Sequence, residues 1–358
     1  MNASAMAGSM PFGMPSAIRS RVDGCVASFE YSDSQIIIKE TIMKYHCIVR
    51  YAFLLCALVG VQGLRAQLFQ SVSVEEIPVA GMEFSRPVSF MPDGHSLLLT
   101  SATQAGLWLY DVEDHQTSQL TDALGAGSEP VVSADGNTVI HRTVSFSAAH
   151  QRLTALDVVD VSAGRTERLL HPQRQVPAYR FSGNTAMALS PAGDMVYKVR
   201  GVAQADACQM PMVSLDEDLQ LVLTQEGTSR VLSPNGSDAT YLWPSLSPDG
   251  RRILYYVSGV GAYVCSTDGD SVTFVSPHCR APQWYDGETI VGMYDTDDTQ
   301  ALTSSCIMAY RLDGQSQQLT SPSSFTMYPR CHAASRRIAC CTADGRLVML
   351  HVEPQPRP

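Results

Sequence analysis

One turn, written again and again, limits what this chain can fold into more than any other feature. It reads MPDG at Met91–Gly94, SADG at Ser133–Gly136, SPAGD at Ser190–Asp194, SPDG at Ser247–Gly250 and WYDG at Trp284–Gly287. HAASRRIA at His332–Ala339 is a degraded sixth copy, aligned with SPDGRRIL at Ser247–Leu254 through the shared Arg-Arg-Ile. In such a turn proline presets φ, aspartate caps the reversal with its side chain, and glycine accepts a positive φ. Counted at the fourth turn position, the copies lie 42, 57, 57, 37 and 48 residues apart. That is the length of one four-stranded propeller blade, a unit that cannot cover both its faces alone and must stack on copies of itself.

The stretch Trp243–Ser276 is the best-preserved copy. An apolar run at Trp243–Leu246 meets the turn and is followed by Ile253–Val257, Ala262–Cys265, an Asp268-Gly269 turn and Ser271–Val275. Short alternating runs between turn residues predict four antiparallel strands. Unit one repeats the parts as Ser96–Thr100, Leu107–Asp111 and Ser118–Thr121; unit two as Thr138–Arg142, Leu153–Val161 and Arg165–Leu170; unit five as Thr289–Tyr294, Cys306–Leu312 and Gln317–Thr320. Unit three is irregular, with Met195–Arg200 and Leu219–Leu223 separated by the overlong loop Gly201–Asp218. Unit six shows Arg337–Thr342 and Arg346–Val352 with no fourth strand after them, whereas Gln70–Val79 precedes the first turn without a blade of its own. The N-terminal strand is therefore expected to complete the last blade, which closes the ring and buries an open edge. The expectation is an all-β chain forming one six-bladed β-propeller of four-stranded antiparallel blades.

With its Ser-Pro-Asp-Gly turns, the Leu107-Trp108-Leu109-Tyr110-Asp111 strand and the Leu-Thr endings at Leu120-Thr121 and Leu319-Thr320, the chain resembles the TolB-type propellers and the PD40 or WD40-like β-propeller repeats that build them. The resemblance covers the propeller from Gln67 onward. TolB itself carries an additional N-terminal α/β domain that has no counterpart here, so the resemblance implies the fold and not TolB's translocation role.

The N-terminus separates from this repeat. From Met43 the text MKYHCIVRYAFLLCALVGVQGLRAQ has a basic start at Lys44 and Arg50, an apolar core at Tyr51–Val61 and a cleavage-like Leu64-Arg65-Ala66 before Gln67. That is the grammar of a secretory signal peptide, with a core too short to span a bilayer. Residues 1–42 are polar and without periodicity and read as a non-native upstream extension, residues 43–66 as the signal peptide, and residues 67–358 as a single propeller domain. The expected location is the periplasm or the cell exterior. Seven cysteines follow Gln67, an odd number in an oxidising compartment, and Cys331 and Cys340 flank one strand-turn-strand unit and are candidates for a disulfide. A net charge of −10 without a basic run argues against nucleic acid.

Chemistry-bearing motifs are scarce. There is no G-x-S-x-G elbow for a serine hydrolase, and His278-Cys279, Cys331-His332 and Cys340-Cys341 lack the spacing of a tetrahedral metal site. Asp295-Thr296-Asp297-Asp298 opens like a calcium loop but places Gln300 where glycine and Cys306 where glutamate are needed. Asn235-Gly236-Ser237 matches a glycosylation acceptor but sits at an ordinary turn signal. The expectation is a non-enzymatic binding or scaffold module of the cell envelope, monomeric, without cofactor, metal or membrane span in the mature chain, holding a protein or peptide at the channel mouth. Arg86, Glu129, Trp243, Arg280 and Arg330, which precede the innermost strands, are the candidate contacts. The alternatives are a propeller hydrolase or lyase with its site in the central channel, and a structural subunit of a secretion or surface assembly.

Overall fold

The second strand of the first unit, Ser-Leu-Leu-Leu-Thr, has no polar face: Leu97, Leu98 and Leu99 are each fully buried. A strand like this must be sandwiched, and the computed structural model shows between what. It describes residues 67–176, 178–189, 195–198, 211–226, 228–298 and 301–356 of the chain. They form an all-β propeller; the upstream extension, the signal peptide and Cys208 lie outside the described residues.

In chain order β1 (Phe69–Ile77) precedes unit one, which is β2 (Arg86–Phe90), β3 (Ser96–Thr100), β4 (Leu107–Asp111) and β5 (Thr117–Thr121). Unit two is β6 (Val131–Val132), β7 (Thr138–Phe146), β8 (Arg152–Asp160) and β9 (Thr166–Gln173). The third unit runs through β10 (Tyr179–Ser182), β11 (Thr185–Leu189), β12 (Met195–Lys198), β13 (Met212–Leu215), β14 (Leu221–Gln225) and β15 (Thr228–Leu232). Unit four is β16 (Tyr241–Leu246), β17 (Arg252–Val257), β18 (Gly261–Ser266) and β19 (Thr273–Ser276), and unit five is β20 (Arg280–Trp284), β21 (Thr289–Asp297), β22 (Leu302–Arg311) and β23 (Ser316–Gln318). Unit six is β24 (Thr326–His332), β25 (Arg337–Thr342) and β26 (Leu347–Pro354), with β1 paired antiparallel to β26 as its outer strand.

Units one, two, four, five and six are four-stranded antiparallel blades, as the repeat predicts. The third unit holds more than one blade's worth of sheet. Among the described residues it contains two three-stranded sheets, β10–β12 and β13–β15, beside the five four-stranded ones. The stretch read as one overlong loop contains β13, and the SPAGD copy falls between β11 and β12, outside the described residues. The turns that play its part are Gly183-Asn184 and Asp216–Gln220, neither of which spells Asp-Gly.

Among the described residues, seven apolar clusters lie between neighbouring sheets. Leu97 and Leu99 point to the sixth unit, among Ala339, Leu347 and Met349, while Leu98 between them points to unit two, beside Val139 and Val159. Strand periodicity of two does the sorting. The same alternation sends Ile253 and Tyr255 toward β14 and Leu254 toward Ile290 of unit five. Ala178, Met187 and Leu189 meet Met212 across the gap inside the third unit, the thinnest of the seven. Each buried leucine of this kind contributes roughly 1.5–3 kcal/mol.

The repeated turns are held as their residues dictate, with one addition. Asp249 Oδ1 accepts from the Arg251 amide at 3.1 Å and from Ser247 Oγ at 2.5 Å, while Ser247 Oγ itself accepts from the Arg252 amide at 3.0 Å. Ser133 and Asp135 repeat the arrangement in unit two. The hydroxyl of Ser133 and the amide of Asn137 hold the Asp135 carboxyl below its ordinary range. In the degraded copy His332 replaces the serine, and its Nδ1 accepts from the Ser335 amide at 3.2 Å. Asn235 also serves as a turn residue, accepting from Tyr255 Oη at 2.7 Å through its side-chain oxygen.

Unit two carries a polar row through its interior. His141 on β7 stands opposite Asp157 on β8, which stands opposite Arg168 on β9. The Asp157 carboxylate accepts from Arg168 Nε at 2.5 Å and from Thr143 Oγ1 at 2.6 Å. His141 is buried, its Nδ1 is 3.0 Å from the Arg142 carbonyl, and its Nε2 has no partner among the described residues. Burial depresses the imidazole pKa more than Asp157 raises it, so the folded protein holds His141 neutral. The unfolded chain takes up that proton below about 6.5, so stability is present above this value and falls as pH drops through it. His332 is shifted the same way by burial and adds to the same window. The urea midpoint is therefore expected to fall between pH 7 and pH 5.5, and His141→Gln to remove part of that slope; an unchanged slope in the variant contradicts the assignment.

Candidate functional site

The innermost strands share a feature that the turn repeat hides. In the sequence an X-Pro pair stands just before or within each of them: Arg86-Pro87, Glu129-Pro130, Val176-Pro177, Met210-Pro211, Trp243-Pro244, Ala281-Pro282 and Tyr328-Pro329. One edge of each innermost strand faces the channel and pairs with nothing, so a proline there removes no ladder bond and blunts an open edge. In β2, β16, β20 and β24 the register to the second strand slips at this point. Glu129, Trp243, Ala281 and Tyr328 adopt left-handed backbone there, with φ of 56°, 50°, 45° and 55°. Non-glycine residues held this way cost of order 1–3 kcal/mol each and persist only where surrounding packing imposes them. The spacing of the X-Pro pairs, 34 and 33 residues on either side of Met210-Pro211, is the sequence signal that divides the third unit.

All five candidate contacts lie at this rim, the end of the channel opposite the Asp-Gly turns, and the structure gathers them into two groups. In the first, Arg86 lies over the Tyr328 ring with its guanidinium carbon 3.7 Å from the centroid. Arg330 crosses from β24 to the neighbouring blade, donating through Nε to the Val88 carbonyl at 2.7 Å and through Nη1 to the Pro329 carbonyl at 3.0 Å. Burial, and then the charge of Arg86, draws the Arg330 guanidinium down to about 10, so it stays cationic at neutral pH. The negative charge of Glu129 acts on Arg330 in the opposite sense, but its carboxylate is bound to Arg142 Nη2 at 2.7 Å. Tyr179, pushed up to about 12 by burial, donates to the Glu129 carbonyl at 2.8 Å and accepts from Arg142 Nε at 3.0 Å.

The second group is Trp243 with Arg280. Trp243 packs on Tyr256 with centroids 5.4 Å apart, and Arg280 Nη1 donates to Asp295 Oδ2 at 2.6 Å, the carboxylate being nearly buried. Arg280 and Asp295 both act electrostatically on the Tyr256 hydroxyl, which burial pushes above its ordinary pKa. Asp295, read from sequence as part of a loop motif, is therefore the buried counter-ion of a rim arginine. Tyr328, Arg142, Tyr179 and Tyr256 belong to the rim with Asp295 and were not singled out by sequence reasoning; the X-Pro pair marks only Tyr328 among them.

Cys331 and Cys341 adjoin the first group, each interacting electrostatically with Arg330. Cys331 and Cys340 are both free thiols, diagonal rather than opposite, since Cys331 faces Ile338 in the register. Cys340 is fully buried with its thiol held protonated by burial, and Cys331 is pushed up to about 12 by burial. Among the described residues no three His, Cys, Asp or Glu side chains converge as a metal site would require. His278 stacks on Tyr294 with centroids 4.5 Å apart, and His332 bonds its own turn. No helix among the described residues is long and apolar enough to cross a membrane.

No family model matches the sequence, and no curated protein matches it. The fold has many counterparts among solved structures. The chain is similar to TolB of Acinetobacter baumannii at 16% identity and a TM-score of 0.40, with 76% of this chain aligned to 55% of that one. It thus spans little more than half of that TolB. A putative TolB of Agrobacterium tumefaciens is 15% identical over 80% of this chain and 99% of that one, with a TM-score of 0.47. A streptogramin B lyase is 10% identical over 80% of this chain and the whole of that one, with a TM-score of 0.50. At these identities the likeness is one of fold alone, and the fold it shows is a β-propeller.

Proposed function

We propose that the chain is a non-enzymatic, exported β-propeller that binds a protein or peptide of the cell envelope, or scaffolds one, through the rim of its channel. The observation that carries this reading is the left-handed backbone at four of the X-Pro pairs of the innermost strands. Four residues in left-handed backbone, each before a proline, present Glu129, Trp243 and Tyr328 beside two arginine groups at the same rim. Strain of this kind is retained where the geometry of a surface matters. The fold argues nothing about chemistry by itself. On this reading residues 43–66 direct export and are removed, residues 1–42 are not part of the translated protein, and residues 67–358 work as a monomer in the periplasm or outside the cell.

A photo-crosslinking residue placed at the exposed Glu129 position tests it in intact cells, with the same residue at Ser118 on an outer strand as control. One discrete protein adduct from position 129 and none from 118 is the expected result. Equal labelling at both positions, or none at either, overturns the rim as a binding surface. N-terminal sequencing of the recovered protein is expected to begin near Gln67.

A further inference from the structure

Two guanidinium groups brought together without a carboxylate between them form an unfinished ion pair. Arg86 and Arg330 come together in this way where unit six and unit one adjoin: Arg86 lies over the Tyr328 ring, and Arg330 bonds the carbonyl of the next residue, Pro329, and that of Val88 on β2. Arg330 feels Arg86 as a like charge, and among the described residues neither has a carboxylate within salt-bridge distance. Glu129, the acid whose field reaches Arg330, is already committed to Arg142.

The pair is also built rather than incidental. Arg330 uses two of its N–H groups on backbone carbonyls, one on its own strand and one on β2, which fixes its plane and leaves three donors of the guanidinium fork unassigned. Arg86 is fixed by a different device. Its plane is stacked on Tyr328, whose backbone is held in the left-handed region by the bulge before Pro329. Stacking occupies the face of a guanidinium and leaves its edge open. Arg86 Nε lies out of solvent with no hydrogen-bond partner, a donor whose desolvation the protein does not offset. Cys341, which feels the charge of both arginines, cannot serve as the missing anion, because burial pushes its thiol up to about 12.

We infer that the Arg86–Arg330 pair over Tyr328 receives a carboxylate of the peptide ligand, the oxyanion completing the ion pair that the protein leaves open. Paired guanidinium forks suit a carboxylate because each can donate two parallel bonds. The inference rests on the peptide-binding reading above, and it adds what the peptide must carry. The carboxylate can come from an acidic side chain or from a free C-terminus, and the two sources are separable.

Three peptides serve as probes in calorimetric titrations of the purified chain: acetylated and amidated tetra-glutamate, acetylated tetra-alanine with a free carboxyl end, and tetra-alanine blocked at both ends. Inorganic phosphate is the fourth titrant. Binding of either carboxylate peptide, weakened about tenfold or more by Arg86→Gln and weakened by added salt, is the expected result. Tetra-glutamate alone binding assigns the side-chain source, and the free-carboxyl peptide alone binding assigns the C-terminal source. Binding of phosphate but neither peptide overturns the inference, as does equal affinity of wild type and Arg86→Gln. Arg86 supports no backbone bond, so the variant is expected to keep its unfolding midpoint. If it does not, the Arg86 Nε–H resonance of the wild type decides, since it must shift on adding the carboxylate peptide and not on adding the blocked one. The two readings also fail separately. A crosslinked partner at position 129 with no carboxylate dependence removes this inference and keeps the binding module, whereas carboxylate binding at Arg86 without a cellular partner does the reverse.

Discussion

A chain lacking residues 67–77 is expected to lose its cooperative unfolding transition, and Phe69→Ala alone to lose about 3–5 kcal/mol. The reason is the clasp. Strand β1 pairs with β26 from Phe69 opposite Pro354 to Ile77 opposite Leu347, and it is the outer strand of the blade that joins the two ends of the ring. Phe69 is 1% exposed and meets Tyr285 of unit five edge-on at 5.0 Å. Its amide donates to Gln317 Oε1 at 2.8 Å and its carbonyl accepts from Gln317 Nε2 at 3.1 Å, so the clasp is fastened to the neighbouring blade as well. Without β1, strand β26 presents an open edge lined by buried apolar residues. Urea denaturation followed by fluorescence, with gel filtration to detect oligomers, measures the loss. Adding a synthetic peptide of residues 67–79 is expected to restore part of it. A truncated chain with a wild-type midpoint contradicts the closure.

Tyr255→Ala is the second large effect, expected to cost about 3–5 kcal/mol. Tyr255 is fully buried at the centre of a row of rings, 5.5 Å from Tyr241 and 5.9 Å from Tyr263 by centroid. Its hydroxyl donates to Asn235 Oδ1 at 2.7 Å, and Tyr241, also fully buried, donates to the Gly236 carbonyl at 3.0 Å and accepts from the Asn235 amide at 2.9 Å. Truncation leaves a cavity in the gap between unit four and β14 and takes the partner from a turn that both tyrosines hold. Tyr255→Phe keeps the ring and loses only the bond, for which about 0.5–1.5 kcal/mol is expected. Thermal or urea unfolding of the two variants separates packing from hydrogen bonding; equal losses contradict this division.

Much of the architecture was legible because its causes are local. A serine, a proline, an aspartate and a glycine at fixed positions dictate a turn wherever they occur, and Gln70–Val79 stood out because unit six lacked a strand. The division of the third unit was not legible from those turns. At Asp216–Gln220 the left-handed position is taken by Leu219, with φ of 57°, and at Ser182–Thr185 glycine precedes asparagine instead of following aspartate. The signal that sets blade boundaries there is proline on an open edge, which obeys strand pairing and not turn chemistry. The rim is a third case. Sequence could place Arg86 and Arg330 at innermost strands, yet their approach to one another depends on how two blades 242 residues apart in the chain, at Arg330 and Val88, are set side by side. Asp295 as the counter-ion of Arg280 was equally hidden, because the pairing crosses from the innermost strand to the far end of a long hairpin.

The clasp also sets an order of events for a chain made from one end to the other. Its first strand is the earliest part of the propeller to be synthesised and the last to find its place, because its partner at Pro354 is 285 residues away from Phe69. Contacts of such separation are slow to form. Until then Glu75 and Glu76 stand without His351 and Arg346, their neighbours across the clasp, and their charge discourages the waiting strand from pairing with another chain. The blades can gather but the ring cannot lock, so the new chain stays open and extensible until that strand finds its place.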